Sequence, residues 1–243
     1  MKHDSRELAE VQQTAQAPAA SRVDLYAGIH KALRAVMSDT LLAVGRMDAH
    51  DALELAQTTQ RVLQLLDLMR SHLEHENNFV HKALEARAPG SSQHIGDDHV
   101  HHVAEIDTLA ESVRALLDTS GQDLDAAVHG FYRRLSLFIA HNYEHMNYEE
   151  TQHNATLWAH YSDEELMGIH AELVGSIPPE EMMLVMRWMV PFMNAGERAM
   201  VLGDMKAHAP APAFEAVLGA TRPHLSAREW EKLQAALELP AAA

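Results

Sequence analysis

Residues 131–153, FYRRLSLFIAHNYEHMNYEETQH, place the tightest constraint on how this chain can fold. Phe131, Leu135 and Phe138 recur at three- and four-residue steps and mark one buried face of an amphipathic helix. The same steps carried onward reach Asn142, His145 and Glu149. The face that must enter the core therefore turns from apolar to imidazole and carboxylate without changing sides. Burying such groups is costly unless charge or hydrogen bonding compensates them, and a metal ion can do so. Whether it does here depends on what other helices bring to the same interior.

Three further stripes answer that need. A helix over roughly 22–45 puts Val23, Tyr26, His30, Leu33, Met37, Leu41 and Val44 on one face, and Gly45 with the Met47–His50 stretch breaks it. A second, about 51–87, carries Leu55, Val62, Leu65, Met69, His72, Glu76, Phe79 and Ala83 inward. The loop APGSSQHIGDD follows, and a third helix over about 97–118 carries His99, His102, Ile106, Leu109, Val113 and Leu116. A short Thr119–Gln122 turn leads to the fourth, about 123–158. Four long helices with short connections predict an all-α protein, an antiparallel up-down four-helix bundle whose polar stripes meet inside. Residues 1–20 read as a loose tail, 21–160 as the bundle and 161–243 as a C-terminal helical extension. In that extension Ser162/Glu165 and Ser226/Glu229 have capping-box spacing, Pro178 and Pro179 suit a helix start, and Pro191 ends or kinks a helix. Its Met182, Met183, Met186, Met189 and Met193 fit core packing, with docking of a protein partner as the alternative.

Composition narrows the chemistry. The 243 residues carry a net charge of −16, which argues against nucleic acid and against an anionic membrane surface. There is no cysteine, so disulfides, thiolate metal sites and thiol catalysis drop out. No signal-like or spanning apolar segment is present, and a cytoplasmic location is the expectation. The eighteen histidines are the anomaly.

His-x-x-x-Glu occurs at His72/Glu76 and His145/Glu149, and the four-residue step puts each pair on one helical face. The same spacing at His81/Glu85, His101/Glu105 and His160/Glu164 shows how cheaply it arises. The stripe separates them, because His81 and His101 fall off the apolar face and are expected in solvent. His30, His72, Glu76, His99, His145 and Glu149 form the candidate metal set, with His102 as a further histidine; His75 and His141 are spares. Nitrogen-rich ligation with carboxylates suits iron, and six or seven donors suit two ions better than one. A ferritin-like site is the alternative; Glu150 and His153 have its Glu-x-x-His spacing, but Met69 stands three before His72 on the second helix.

The segments IHKALR, HLEHE followed by NNFVHKALEAR, DDHVHH and HMNYEE, in that order across residues 22–160, resemble the bacterial hemerythrin-like (HHE cation-binding) proteins. The resemblance implies a non-haem diiron centre, two iron ions joined by an oxo or hydroxo bridge. His30, His72, Glu76, His99, His145 and Glu149 would be its ligands, with the two glutamates bridging. Two departures stand out. Hemerythrins proper carry His-x-x-x-His on the third helix, where Val103 sits here, and place the last carboxylate five after its histidine, which would select Glu150. Tyr26, one turn before His30, is a candidate supporting group. The cysteine pair of the family's iron–sulfur repair members is absent. The expected ligand is therefore a small diatomic or peroxide (O2, NO or peroxide) that the protein binds or senses. Two alternatives use the same site: an oxidoreductase acting on peroxide or NO, or iron binding and buffering without gas chemistry. A helical interaction protein with incidental histidines is the reading that needs no metal.

Overall fold

A computed structural model describes residues 22–239; the expected tail over residues 1–20 lies outside the described residues. All regular structure among them is helical. Helix α1 is Ala27–Arg46, entered through the Asp24 carboxylate, which accepts from the Tyr26 and Ala27 amides. Helix α2 runs Ala52–His75, passes through a π-helical turn at Glu76–Val80 and resumes as His81–Arg87. Helix α3 is Gln93–Asp118. Helix α4 runs Gln122–Tyr148, takes a second π turn at Glu149–His153 and ends as Asn154–His160. Gly121, at φ 68°, occupies the left-handed corner before it, where a side chain would be strained.

These four helices touch in a closed cycle, α1 on α2, α2 on α3, α3 on α4 and α4 on α1. Leu33 and Met37, Val62, Leu65 and Met69, Ile106, Leu109 and Val113, and Phe131, Leu135 and Phe138 fill one shared core from the four faces. Burial on this scale supplies the main favourable term of folding.

The remaining helices are α5, Asp163–Ser176; α6, Pro179–Phe192; α7, Ala195–His208; α8, Ala211–Thr221; and α9, Ala227–Ala236. Capping boxes open α5 at Ser162/Glu165 and α9 at Ser226/Glu229 as expected, and a third, Asn194/Glu197, opens α7. Pro191 lies in the last turn of α6. Helix α6 lies along α1, and its Val185 joins the main core. Beside that contact Lys31 of α1 pairs with Glu197 of α7 at 2.6 Å, and Ser71 of α2 donates to Glu181 of α6. Val190, Leu202, Phe214, Val217 and Leu233 form a second apolar cluster, against which Met183 and Met186 pack. Met193 is buried and Met189 packs on the main core, so much of the methionine stripe serves packing. No helix among the described residues is long and apolar enough to cross a membrane.

The π turns correct the expected inward stripe of α2. A π turn carries one residue more than an α turn, so the face shifts by one beyond Glu76. Val80 is buried where Phe79 is expected, and His81, expected in solvent, is buried as well. His101 does stay exposed. Because the π turn holds one surplus residue, deleting the exposed Asn78 should keep Val80, His81 and Leu84 inward. That deletion should cost less stability than deleting the exposed Thr108 from α3, which would rotate everything after it. Thermal melts of the two variants compare them directly, and an equal loss would contradict the register argument.

Candidate metal centre

At one level of this core the apolar faces give way to imidazoles and carboxylates, as the stripes require. His30 from α1, His72 and Glu76 from α2, His99 from α3, and His145 and Glu149 from α4 are all buried. Their inward atoms converge. His30 Nε2 lies 3.6 Å from Glu76 Oε1 and 3.5 Å from Glu149 Oε2. His72 Nε2 is 3.1 Å from Glu76 Oε1. His99 Nε2 is 3.4 Å from Glu76 Oε2 and 3.8 Å from Glu149 Oε1. His145 Nε2 is 3.5 Å from Glu149 Oε2. Two groups of four result, His30/His72/Glu76/Glu149 and Glu76/His99/His145/Glu149, each with donor atoms within 4.8 Å of one another. The two glutamates belong to both.

Outward-facing atoms fix the ring orientations. His30 Nδ1 donates to Glu150 Oε1 at 2.9 Å, and Arg34 holds that carboxylate through contacts of 2.6 and 3.1 Å. His99 Nδ1 donates to Asn77 Oδ1 at 2.9 Å, and His145 Nδ1 faces Asp98 Oδ2 at 3.6 Å. A proton on Nδ1 leaves the Nε2 lone pair turned inward, the arrangement that metal-binding imidazoles use. Glu150 therefore braces His30 from outside, while Glu149 is the carboxylate that enters the centre. His102 is buried against His145, ring centroids 4.8 Å apart, and against Phe138, but it belongs to neither group. Tyr26 packs on the His30 ring and its hydroxyl meets His153 Nδ1 at 3.0 Å.

Two buried histidines, His81 and His153, form a third group with Glu149. His153 had a signal in the sequence, since it continues the four-residue step from His145 through Glu149. His81 had none, because only the π turn brings it round. Asn77 and Asp98 likewise reach the histidines only through the packing of α2, α3 and α4. His75 lies 3.9 Å from Glu181, and exposed His141 lies 3.3 Å from Glu105.

Whether a metal fits is tested by the atoms left over. His30 Nε2, His72 Nε2 and both oxygens of Glu76 and of Glu149 are buried without a hydrogen-bond partner. Each such atom costs roughly 1–3 kcal/mol, more where charged. So many in one interior could hold a cation, and the imidazole–carboxylate donor set suits a transition metal.

The electrostatics agree. Burial pushes His81, His102 and His153 down to about 4 and His145 to about 2, and it also lowers His72. These imidazoles are neutral, as ligands must be. Burial and the neighbouring Glu76 raise Glu149 well above the usual carboxylate range. Burial would raise Glu76 too, but the imidazoles of His72, His30 and His99, close around it, outweigh burial and hold Glu76 low. Without metal, Glu149 keeps a proton that a cation would displace.

Comparison of the chain with protein families, curated proteins and solved structures returned no match.

Acid should destabilise the metal-free protein. Between about pH 4 and 6.5 the unfolded chain protonates histidines that the folded chain keeps neutral. Stability is then complete above about 6.5 and falls as pH drops, each histidine contributing up to about 1.4 kcal/mol per pH unit. Glu149 opposes this, because the folded state keeps its proton above the ordinary value of 4.5. His30 opposes it as well, because the Glu150 and Glu76 carboxylates outweigh burial and raise its pKa, but these two groups are outnumbered by His72, His81, His102, His145 and His153. The melting temperature of the metal-free protein should therefore drop between pH 7 and pH 5; a flat or rising profile would contradict the neutral imidazoles.

Proposed function

We propose that this chain is a non-haem diiron protein that binds or senses a small ligand, O2, NO or peroxide, at the His/Glu centre. The observation that carries the reading is the sharing of Glu76 and Glu149 between two four-residue donor groups. Two carboxylates common to two sets of imidazoles suit a pair of neighbouring ions better than one. The resemblance to hemerythrin-like proteins points the same way, and so does the closed cycle of contacts, which we read as an antiparallel up-down bundle.

His30 and His72 would hold one ion and His99 and His145 the other, with Glu76 and Glu149 between them. Iron held in this way supplies reversible redox and small-ligand chemistry. The chain's own contribution is orientation and exclusion. Glu150 and Asn77 fix the imidazoles of His30 and His99, and Asp98 places a carboxylate beside His145. Met69, Leu135 and Phe138 close one side of the centre, and Tyr26, Val80, Leu84, Leu157 and Leu166 close the other. Such apolar walls admit a small uncharged ligand more readily than bulk water, and their low dielectric sharpens every interaction inside.

Protein from iron-replete cells should contain two irons per chain, with a near-ultraviolet absorption band that the metal-free protein lacks. His72→Ala and Glu149→Ala should each remove at least one iron and weaken the band. Metal content by elemental analysis checks this; wild-type protein without iron, or variants that retain both irons, would sink the reading. Mixing the loaded protein with oxygen, nitric oxide and peroxide then separates the roles. Reversible spectral change marks binding or sensing, sustained consumption marks an oxidoreductase, and no response leaves iron buffering.

A further inference from the structure

The two π turns occupy matching places. Each opens on a shared carboxylate, one on Glu76 and the other on Glu149. The His81 amide donates to the Glu76 carbonyl, and the Asn154 amide to the Glu149 carbonyl, each five residues back. Such turns are rare and concentrate at functional sites. Here the first brings His81 to the inner face, and the second ends on His153, which is buried there too. His81 is 7% exposed and His153 1%. Their ring centroids are 5.4 Å apart, and His81 stacks on His99 at 4.8 Å. Each keeps a buried Nε2 with no hydrogen-bond partner, in a setting closed by Tyr26, Val80, Leu84 and Leu157. Their donor atoms and one from Glu149 lie within 4.8 Å of one another.

We propose that His81 and His153 are themselves metal ligands, presenting Nε2 beside Glu149 and raising the centre from four imidazoles to six. This rests on the dinuclear reading above. Val103 leaves α3 without a second histidine four residues after His99, and α2 and α4 supply the missing nitrogens instead. His102, the sequence's own choice for that role, packs against Phe138 with its ring edge-on to His145. A separate third ion at His81/Glu149/His153 is the weaker alternative. It would add two positive charges to an interior that has only Glu76 and Glu149 to balance them. Six imidazoles and two shared carboxylates instead give each of two ions three nitrogens. The Tyr26 hydroxyl on His153 Nδ1 then orients that ring, as Glu150 does for His30.

The test uses the full chain loaded with Co(II), whose visible spectrum reports ligand number, and separately with Fe(II) under anaerobic conditions. His81→Gln and His153→Gln should keep wild-type helix content and two ions per chain. They should bind metal at least tenfold more weakly in chelator competition and change the Co(II) spectrum, while His102→Gln changes neither. Weaker binding alone would also follow from a positioning role, so His153→Gly with added imidazole decides. Restoration of the wild-type Co(II) spectrum by free imidazole is expected of a vacated ligand position, and this arm stands even if a glutamine variant fails to fold. Three ions per wild-type chain, falling to two in His153→Gln, would overturn the proposal in favour of a separate site. Wild-type affinity and spectrum in both glutamine variants, or no imidazole rescue, would overturn it too; if His72→Ala still loses metal, the dinuclear reading survives. Failure of the wild type to bind either metal would overturn both.

Discussion

Two glutamates from diagonal helices, Glu76 and Glu149, face each other's histidines in an interior with no water-exposed route for their charge. Everything else in the core is arranged around the cost of that placement. Left alone, the pair shares a proton, because two carboxylates this deeply buried cannot both ionise. With imidazole nitrogens from all four helices turned toward them, the same carboxylates become a site for positive charge. The apolar core below and the Tyr26–Leu166 cluster above keep that charge from being screened.

The later helices matter to this arrangement because they are fastened to it. Helix α6 packs along α1, the helix that carries His30, and α5 lies against the π turn that begins at Glu76. Arg22 donates to Asp163 and to the Trp158 and Tyr161 carbonyls, and the Tyr161 hydroxyl donates to Ala83. These contacts join the entry of α1 to the ends of α2 and α4 and stiffen the cap over the centre. A separate cluster around Leu202 and Val217 gives the last helices a core of their own.

Much of the fold was legible from periodicity. Leu33, Met37, Leu65, Leu109, Leu135 and Phe138 each lie on the face that their three- and four-residue spacing assigns, because an amphipathic helix has one low-energy way to bury its stripe. Helix ends were less legible. Helix α3 begins at Gln93, inside the Gly- and Ser-containing stretch expected as loop, and its first turn buries Ile95 fully. The six inward residues of the centre were legible for the same reason as the core. Glu149 lies one turn after His145 on the buried face, and the next residue, Glu150, rotates out to brace His30.

The sequence by itself determined that four helical faces turn from apolar to imidazole and carboxylate, and that no thiol takes part. It did so because side-chain direction within an α-helix follows from spacing alone. Tertiary structure decided which polar atoms meet, and it alone placed His81. The reason lies in the two π turns, which break the periodicity on which spacing arguments depend. It also decided that Asn77 hydrogen-bonds His99 and that Asp98 faces His145, because contacts between helices depend on how the helices pack and leave no periodic trace in the chain.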